Sequence, residues 1–306
     1  MKPRFLTPYR LGLLIAVFAA VAYGVWPAAV RGMYANGANP VFALLVMTWM
    51  RGLSMAIFCL ATRKPMFSSP RDIRQGITGG IFQAITLISV YLALTYISGP
   101  LMIIIIFSHT LMLLFYMAWR GEIRLDAFTV VTTAIALAGL SLVLDLWHKQ
   151  PSGNWWGILL SFIGALATVS RLYVYGHQTQ ERHPIVVGAE NFMTAAILVS
   201  FAVFYELPHA PTATGWGYAL LGGVALSAAT AAMFYGIMLM GSFRWSLLAK
   251  MEPVFTSLFS AYFVNEVLAL RQYVGIAIVL SSLTLYQIVD YRRKMSPVQS
   301  DMGPIQ

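Results

Sequence analysis

Residues 12–32 read GLLIAVFAAVAYGVWPAAVRG, and residues 157–176 read GILLSFIGALATVSRLYVYG. Each stretch has about 20 residues and one charge, which suits an α-helix that crosses ~30 Å of hydrocarbon. The two stretches also match each other, and Phe18 and Phe162 set the offset at 144 residues. Together they predict a membrane protein that is built from two similar halves.

The match extends along the chain at the same offset, with a slip of one residue near each end. Asn39-Pro40-Val41 corresponds to His183-Pro184-Ile185. Further pairs that differ by 144 are Gly32 and Gly176, Thr86 and Thr230, Tyr91 and Tyr235, and Glu122 and Glu266. A continuous register of Pro, Gly, Tyr and Glu indicates a duplication, which is common among transporter folds. We therefore predict a first five-helix repeat (1–146), a second five-helix repeat (147–291) and a tail (292–306).

The composition supports this class of protein. Of the 306 residues, 59% are hydrophobic and only 10% are charged, whereas about 25% of the residues in a soluble domain are charged. Ten apolar stretches are long enough to span a membrane, namely 11–31, 40–62, 74–97, 99–119, 126–146, 155–176, 184–206, 216–240, 245–264 and 270–290. The prediction is an all-α membrane protein with ten transmembrane helices and short loops.

The first of these spans has a second interpretation. A basic start and Ala20-Val21-Ala22 are typical of a cleaved signal peptide. The apolar run continues to Val30, however, and it has the counterpart at 157–176. We therefore expect the first span to belong to the fold.

The basic residues predict the orientation of the spans. One side of the membrane holds fourteen of them, namely Lys2, Arg4, Arg10, Arg63, Lys64, Arg71, Arg74, Arg120, Arg124, Arg182, Arg244, Arg292, Arg293 and Lys294. The other side holds Arg31, Lys149 and Arg271. Because basic loops stay in the cytoplasm, we expect both termini there and a multi-pass protein of the cell inner (cytoplasmic) membrane. Five spans per repeat is an odd number, so the two repeats should be inverted relative to each other.

Charge and motifs narrow the function classes further. The net charge of +9 is explained by membrane topology, so we expect no nucleic-acid partner. Cys59 is the single cysteine, which excludes a disulfide framework and a cysteine-type metal site. The chain has no Gly-x-Ser-x-Gly, His-Glu-x-x-His or phosphate-binding Gly-x-x-x-x-Gly-Lys motif. We predict no catalytic residue, no metal, no cofactor and no enzyme activity.

The last two spans resemble a known family. Residues 250–256 (KMEPVFT) are followed by Phe263-Val264-Asn265-Glu266 and then by Gly275-Ile276-Ala277. A Pro-containing span that ends in Glu before a Gly-rich span resembles the EamA-type signature of the drug/metabolite transporter superfamily. The first half keeps Gly121-Glu122 but has His109 in place of the Pro. The resemblance covers nearly the whole chain, and the chain looks most similar to bacterial amino-acid exporters. It implies export of small metabolites by alternating access, without nucleotide hydrolysis.

Arg51 is the charge nearest the predicted membrane midplane. It lies eleven residues after Pro40, which is about 16 Å along a helix. Because a charge in hydrocarbon costs roughly 2.5 to 3.5 kcal/mol on insertion scales, each such residue needs an explanation. Arg51 is predicted either to bind a substrate carboxylate, or to pair with Glu190 or Glu252, or to reach the interface along a tilted helix.

Four further charged residues deep within the predicted spans lie in the second half, namely Arg171, Glu190, Lys250 and Glu252. The carboxylate of Glu190, which lies next to Asn191, could accept a coupling proton or bind a substrate amine. The alternative is an ion pair of Glu190 with Arg171. Lys250 and Glu252 should face nearly opposite sides of their helix. Pro253 should kink that helix and free a carbonyl near Ala249 from its helical hydrogen bond. The freed carbonyl could belong to a polar site or gate. The alternative is a hinge that does not contact the ligand.

Other polar side chains complete the predicted site. His109 could relay protons, or it could be a packing residue with a hydrogen bond. Aromatic residues with polar tips are candidates for a cavity wall because each needs a hydrogen-bond partner. The predicted substrate-binding set is Arg51, Tyr23, Trp26, Gln83, Tyr91, His109, Asn191, Tyr235, Trp245 and Glu252. The predicted coupling or gating residues are Glu190, Lys250 and Pro253.

The sequence thus predicts a secondary transporter that exports small metabolites, with amino acids as the first choice. The predicted partners are this solute, membrane lipids and a coupling proton. The alternatives are an intramembrane enzyme with a lipid-soluble substrate and an exporter of nucleosides, sugars or drugs.

Overall fold

A computed structural model describes residues 8–146, 154–263 and 268–295, and no β-strand occurs in these ranges. The first half contains the helices α1 (Pro8–Ala35), α2 (Pro40–Ala61), α3 (Pro70–Ala93), α4 (Gly99–Phe107), α5 (His109–Trp119) and α6 (Ala127–Val143). The second half contains α7 (Trp155–Glu181), α8 (Pro184–Ser200), α9 (Ala213–Met240), α10 (Ser242–Leu248), α11 (Met251–Phe263) and α12 (Leu270–Met295). Glu266 of the predicted motif, Lys149 and residues 296–306 of the tail lie outside the described ranges.

These helices confirm the predicted all-α membrane fold. Eight helical segments of the described chain are long and apolar enough to cross a membrane. Ala127–Val143 is apolar but shorter, and α10 and α11 follow each other in the position of the ninth predicted span. A short 3-10 helix, Phe201–Phe204, extends α8.

Several helix starts follow directly from the sequence. Proline occupies the first turn of α2, α3 and α8, where its missing N–H costs no hydrogen bond. Before α2, the Asn39 side chain accepts a hydrogen bond from the Phe42 backbone N–H at 3.0 Å. Before α3, Ser69 accepts one from the N–H of Asp72 at 3.1 Å. These caps hold the ends of neighbouring helices in fixed positions.

Two predicted spans are interrupted in the structure. The fourth is divided at Ser108, between α4 and α5, and the sequence analysis did not predict this break. The ninth is divided at Ala249 and Lys250, before Pro253, as expected from the proline. The Ala249 carbonyl is not free, since it accepts the Glu252 backbone N–H at 3.0 Å. Both interruptions lie beside the cavity that is described below.

The helices pack mostly between the two halves of the chain. α1 packs against α9 and α11, α3 against α7 and α8, and α2 against α8 and α9. A separate pair is formed by α6 and α12. Small residues permit close approach, and a Cβ at Gly79 would lie only 1.7 Å from the Asn191 side-chain oxygen of α8. The result is a bundle whose centre is surrounded by α1, α2, α3, α7, α9 and the two interrupted spans.

Candidate functional site

A cavity of about 330 Å³ lies at the centre of the bundle. Eight of the predicted substrate-binding residues line it, namely Arg51, Tyr23, Trp26, Gln83, Tyr91, His109, Trp245 and Glu252. The lining also includes Arg171, which the sequence analysis did not assign to the site. The cavity therefore receives side chains from both halves of the chain.

Arg51 is buried and faces this cavity from α2. Its Nε donates to the Met47 carbonyl at 2.9 Å, and its guanidinium lies 4.9 Å from the centre of the Phe192 ring. Among the described residues, no ion pair joins Arg51 to Glu190 or Glu252. The predicted pairing with Glu190 is wrong because Arg182 binds that carboxylate instead. The outer nitrogens of Arg51 form no hydrogen bond within the described chain, so they can bind a solute.

Arg171 supplies a second guanidinium from α7. An ion pair between Arg171 and Glu190 was one of the predicted alternatives. That pairing is wrong, because α7 continues to Glu181 and Arg171 therefore lies deeper in the bundle. Its Nε is buried and has no hydrogen-bond partner within the described chain. A buried donor without a partner is costly, which makes this nitrogen a candidate for binding an anionic solute.

Glu252 gives the cavity a carboxylate. Trp26 of α1 donates its Nε1–H to the Glu252 Oε1 at 3.5 Å. The aromatic wall continues with Tyr23, whose hydroxyl lies 3.4 Å from the Thr230 hydroxyl, and with Tyr91. One cavity thus contains two guanidinium groups, one carboxylate and several aromatic rings. This set matches a small solute that carries charges of both signs.

The side chains of His109 and Lys250 each form a polar contact with another residue of the chain. The His109 Nδ1 lies 2.7 Å from the Ile106 carbonyl, which agrees with the packing interpretation of this residue. Lys250 is fully buried, and its Nζ donates to the Thr110 hydroxyl at 2.6 Å. Glu252 points into the cavity while Lys250 points towards α5, as their spacing predicted. Pro253 follows them in the first turn of α11.

Glu190 lies outside the cavity, in a largely buried cluster with Arg182, Asp72 and the Phe67 backbone, which we call the Arg182 cluster. Arg182 donates to both Glu190 carboxylate oxygens, at 2.5 and 2.6 Å, and its Nε lies 3.3 Å from Asp72. The Phe67 backbone N–H donates to the same Glu190 carboxylate at 2.6 Å. Burial lowers the pKa of Arg182, but the neighbouring carboxylates of Glu190, Asp72 and Glu181 outweigh burial and raise it. The cluster joins α3, α8 and the loops before them.

Asn191 and Tyr235 also lie outside the cavity. Asn191 donates to the Gln178 side-chain oxygen at 2.9 Å and to the Val187 carbonyl at 2.7 Å. The Tyr235 ring packs 5.9 Å from the His183 ring. In this conformation neither residue can contact a solute in the central cavity.

The cavity opens towards one end of the bundle. Its lining there includes Pro40 at the start of α2, together with Tyr34 and Leu94, whose side chains are 43% and 47% exposed. The opposite end is filled by a hydrophobic core that contains Tyr175 and Phe234, and the Arg182 cluster lies at that closed end. The geometry is therefore a binding cavity with one open end and one closed end.

Within the described ranges, no three His, Cys, Asp or Glu residues are grouped so that they could hold an ion.

Residues 155–287 match the EamA-like transporter family, which belongs to the drug/metabolite transporter superfamily. Over these residues the second half of the chain is similar to that family. The match confirms the resemblance that the sequence motifs indicated. It begins at the first residue of α7 and ends within α12, so it covers the five spans of the second half. Similarity to this family points to a membrane transporter.

Known structures agree on the fold. A solved crystal structure aligns with a TM-score of 0.74, covering 91% of this chain and 98% of its own, at 17% sequence identity. At that identity the likeness establishes the fold alone. None of the curated proteins matches this chain in sequence.

Proposed function

We propose that this protein is a secondary transporter that exports amino acids by alternating access. The observation that carries the proposal is the charge set of the central cavity. Arg51 and Arg171 offer two guanidinium groups to a carboxylate, and Glu252 offers a carboxylate to an ammonium group. These opposite charges suit a zwitterion, and the aromatic rings beside them suit an apolar side chain.

The inverted repeat is part of this proposal. At an offset of 144 residues α1 corresponds to α7, α2 to α8 and α3 to α9. When each helix is exchanged for its counterpart in the other half, the contact of α1 with α9 becomes the contact of α7 with α3. In the same way, the contact of α2 with α9 becomes the contact of α8 with α3. Both members of each pair occur. This exchange supports two inverted five-helix units, the arrangement that allows a binding site to open alternately to each side.

The basic residues orient the proposed transporter. With both termini in the cytoplasm of a cell that has an inner membrane, the open end of the cavity at Pro40 faces outwards and the Arg182 cluster faces the cytoplasm. Glu190 is held by Arg182 and by the Phe67 N–H, which favours a structural role over that of proton acceptor. We therefore propose that a coupling proton, if the cycle uses one, binds elsewhere.

Solute counterflow into liposomes tests the function directly. Purified protein is reconstituted in liposomes that are preloaded with one unlabelled solute, and uptake of the same labelled solute is followed with and without a pH gradient. We expect saturable counterflow of amino acids with chemically unchanged solute. Counterflow of nucleosides or sugars without amino acids would overturn the substrate class, uptake without counterflow would indicate a channel, and altered solute would indicate an enzyme.

A further inference from the structure

The protein contains a second cavity that the proposed transport does not use. It has a volume of about 500 Å³ and lies between α1, α12 and the interrupted span α10–α11. We propose that this cleft binds one anionic phospholipid, with the headgroup phosphate at Arg10 and Arg292 and an acyl chain in the apolar groove below them. This inference goes beyond solute transport, since it concerns a different ligand at a different site.

The two arginines lie at one end of the cleft. Tyr9 and Arg10 begin α1, while Tyr291 and Arg292 are near the end of α12. Tyr9 hydrogen-bonds to Gln287, and its ring lies 5.8 Å from that of Tyr291. These contacts bring the ends of the two helices together and place both arginines at the rim of the cleft. Arg10 and Arg292 are the charged residues among the described lining of the cleft, so the rim suits an anionic headgroup.

The rest of the cleft is mostly apolar. Leu13 and Val17 follow Arg10 at helical spacing on α1, and Leu280 and Ile288 line the α12 side. From Leu280 to the arginine of α12 the helix rises about 18 Å. This length is slightly more than half of a ~30 Å hydrocarbon core. A charged rim above an apolar groove as deep as one leaflet is complementary to a phospholipid in shape and chemistry. A soluble phosphate would bind at the rim and leave the groove empty.

The floor of the cleft connects this site to the central cavity. Leu248 and Met251 line the floor, and they lie directly on either side of the break at Ala249 and Lys250. Trp245 and Glu252 of the same interrupted span line the central cavity. An acyl chain in the cleft would therefore pack against the break from the side opposite to the solute.

The test uses native mass spectrometry of purified full-length protein in detergent, with added phosphatidylglycerol or phosphatidylcholine. We expect one phosphatidylglycerol to be retained per chain in preference to phosphatidylcholine. The double variant Arg10→Gln/Arg292→Gln should bind phosphatidylglycerol roughly 25-fold more weakly, about fivefold for each arginine. The matched control Arg63→Gln/Arg74→Gln removes two exposed arginines outside the cleft and should retain the lipid.

A third variant separates the headgroup from the acyl chain. Thr284→Trp fills the groove with an indole at an exposed lining position while both arginines remain. It should also lose the lipid, with a melting temperature in lipid-free detergent equal to that of the unchanged protein. Unchanged retention in Arg10→Gln/Arg292→Gln, unchanged retention in Thr284→Trp, or an equal loss in the control variant would each overturn the site.

Discussion

Two loop contacts hold opposite ends of the bundle, and they differ in chemistry. At the open end, Asn39 donates to the Leu207 carbonyl at 2.8 Å and accepts the His209 N–H at 2.9 Å. At the closed end, the corresponding loop carries Arg182, which binds the fully buried Glu190. Asn39-Pro40 and His183-Pro184 are equivalent at the offset of 144. Equivalent loops therefore use exposed neutral hydrogen bonds at one end and a buried ion pair at the other.

This difference indicates where the structure resists change. Separation of the exposed hydrogen bonds lets water replace each lost partner, so the net cost is small. Separation of Arg182 from Glu190 leaves an unpaired carboxylate with no exposed surface. The free-energy cost is large unless water enters and solvates this carboxylate. We infer that the Arg182 cluster stabilises the closed end and that transport requires this cluster to open towards water.

The largest effect should come from Arg182→Gln. Removal of one partner from a buried ion pair costs roughly 3 to 5 kcal/mol, so the variant should show a much lower free energy of unfolding in detergent. The control is Arg71→Gln, because Arg71 pairs with Glu181 where both side chains are largely exposed. Exposed pairs contribute about 1 kcal/mol or less. Equal losses in the two variants would contradict the importance of the buried cluster.

Cysteine labelling tests which end is open. In a Cys59→Ala background, Ala43→Cys places a thiol in the cavity lining, and Val187→Cys places one at the equivalent, fully buried position of the closed end. We expect a water-soluble maleimide to label the first roughly tenfold faster or more, since labelling of the second requires local opening. Arg182→Gln should accelerate labelling at the second position. Equal labelling rates at the two positions, in protein that retains Arg182, would contradict the assignment of one open end and one closed end.

A smaller effect is expected from Asn39→Ala. This change removes the cap of α2 and both loop hydrogen bonds, and loss of such a cap typically costs about 1 to 2 kcal/mol. Asn39→Asp keeps an acceptor for the N–H groups of Phe42 and His209 but loses the donor to Leu207, so its loss of stability should be smaller. Thermal unfolding of both variants measures the difference. A cost for Asn39→Ala as large as that of Arg182→Gln would contradict the contrast between the ends.

The smallest effect should come from Cys59→Ala. Cys59 is fully buried in the hydrophobic core at the closed end, and loss of a single sulfur atom leaves only a small cavity, with a cost of about 1 kcal/mol. Transport and expression should stay close to those of the unchanged protein. Abolished transport with normal expression would give the thiol a role that its packing does not suggest.

The sequence predicted the fold better than the site, for a physical reason. Membrane spans follow from length and apolar composition, which are local properties, and all ten predicted spans have helical counterparts. The break before Pro253 was also predictable, because proline lacks a backbone donor. The break at Ser108 was not, since neither proline nor glycine lies within the middle of that span.

Charge pairing was harder to predict because it depends on where helices end. The sixth predicted span ended at residue 176, whereas α7 ends at Glu181. This difference of more than one turn moved Arg171 away from Glu190 and into the cavity wall, and it left Arg182 free to fold back onto Glu190. Arg171 had a usable signal, since an arginine within a membrane span needs a polar environment. The burial of Asn191 against Gln178 depends on tertiary packing alone.

The central claim is that Arg51 binds the carboxylate of a transported amino acid. The most direct test compares transport of an amino acid and of its amide by reconstituted protein and by Arg51→Gln, with the melting temperature of both proteins measured in parallel. Because glutamine keeps hydrogen-bond donors but loses the charge, we expect transport of the amino acid to fall roughly tenfold or more relative to the amide, with little change in melting temperature. Equal losses for both solutes, together with a large fall in melting temperature, would contradict the claim.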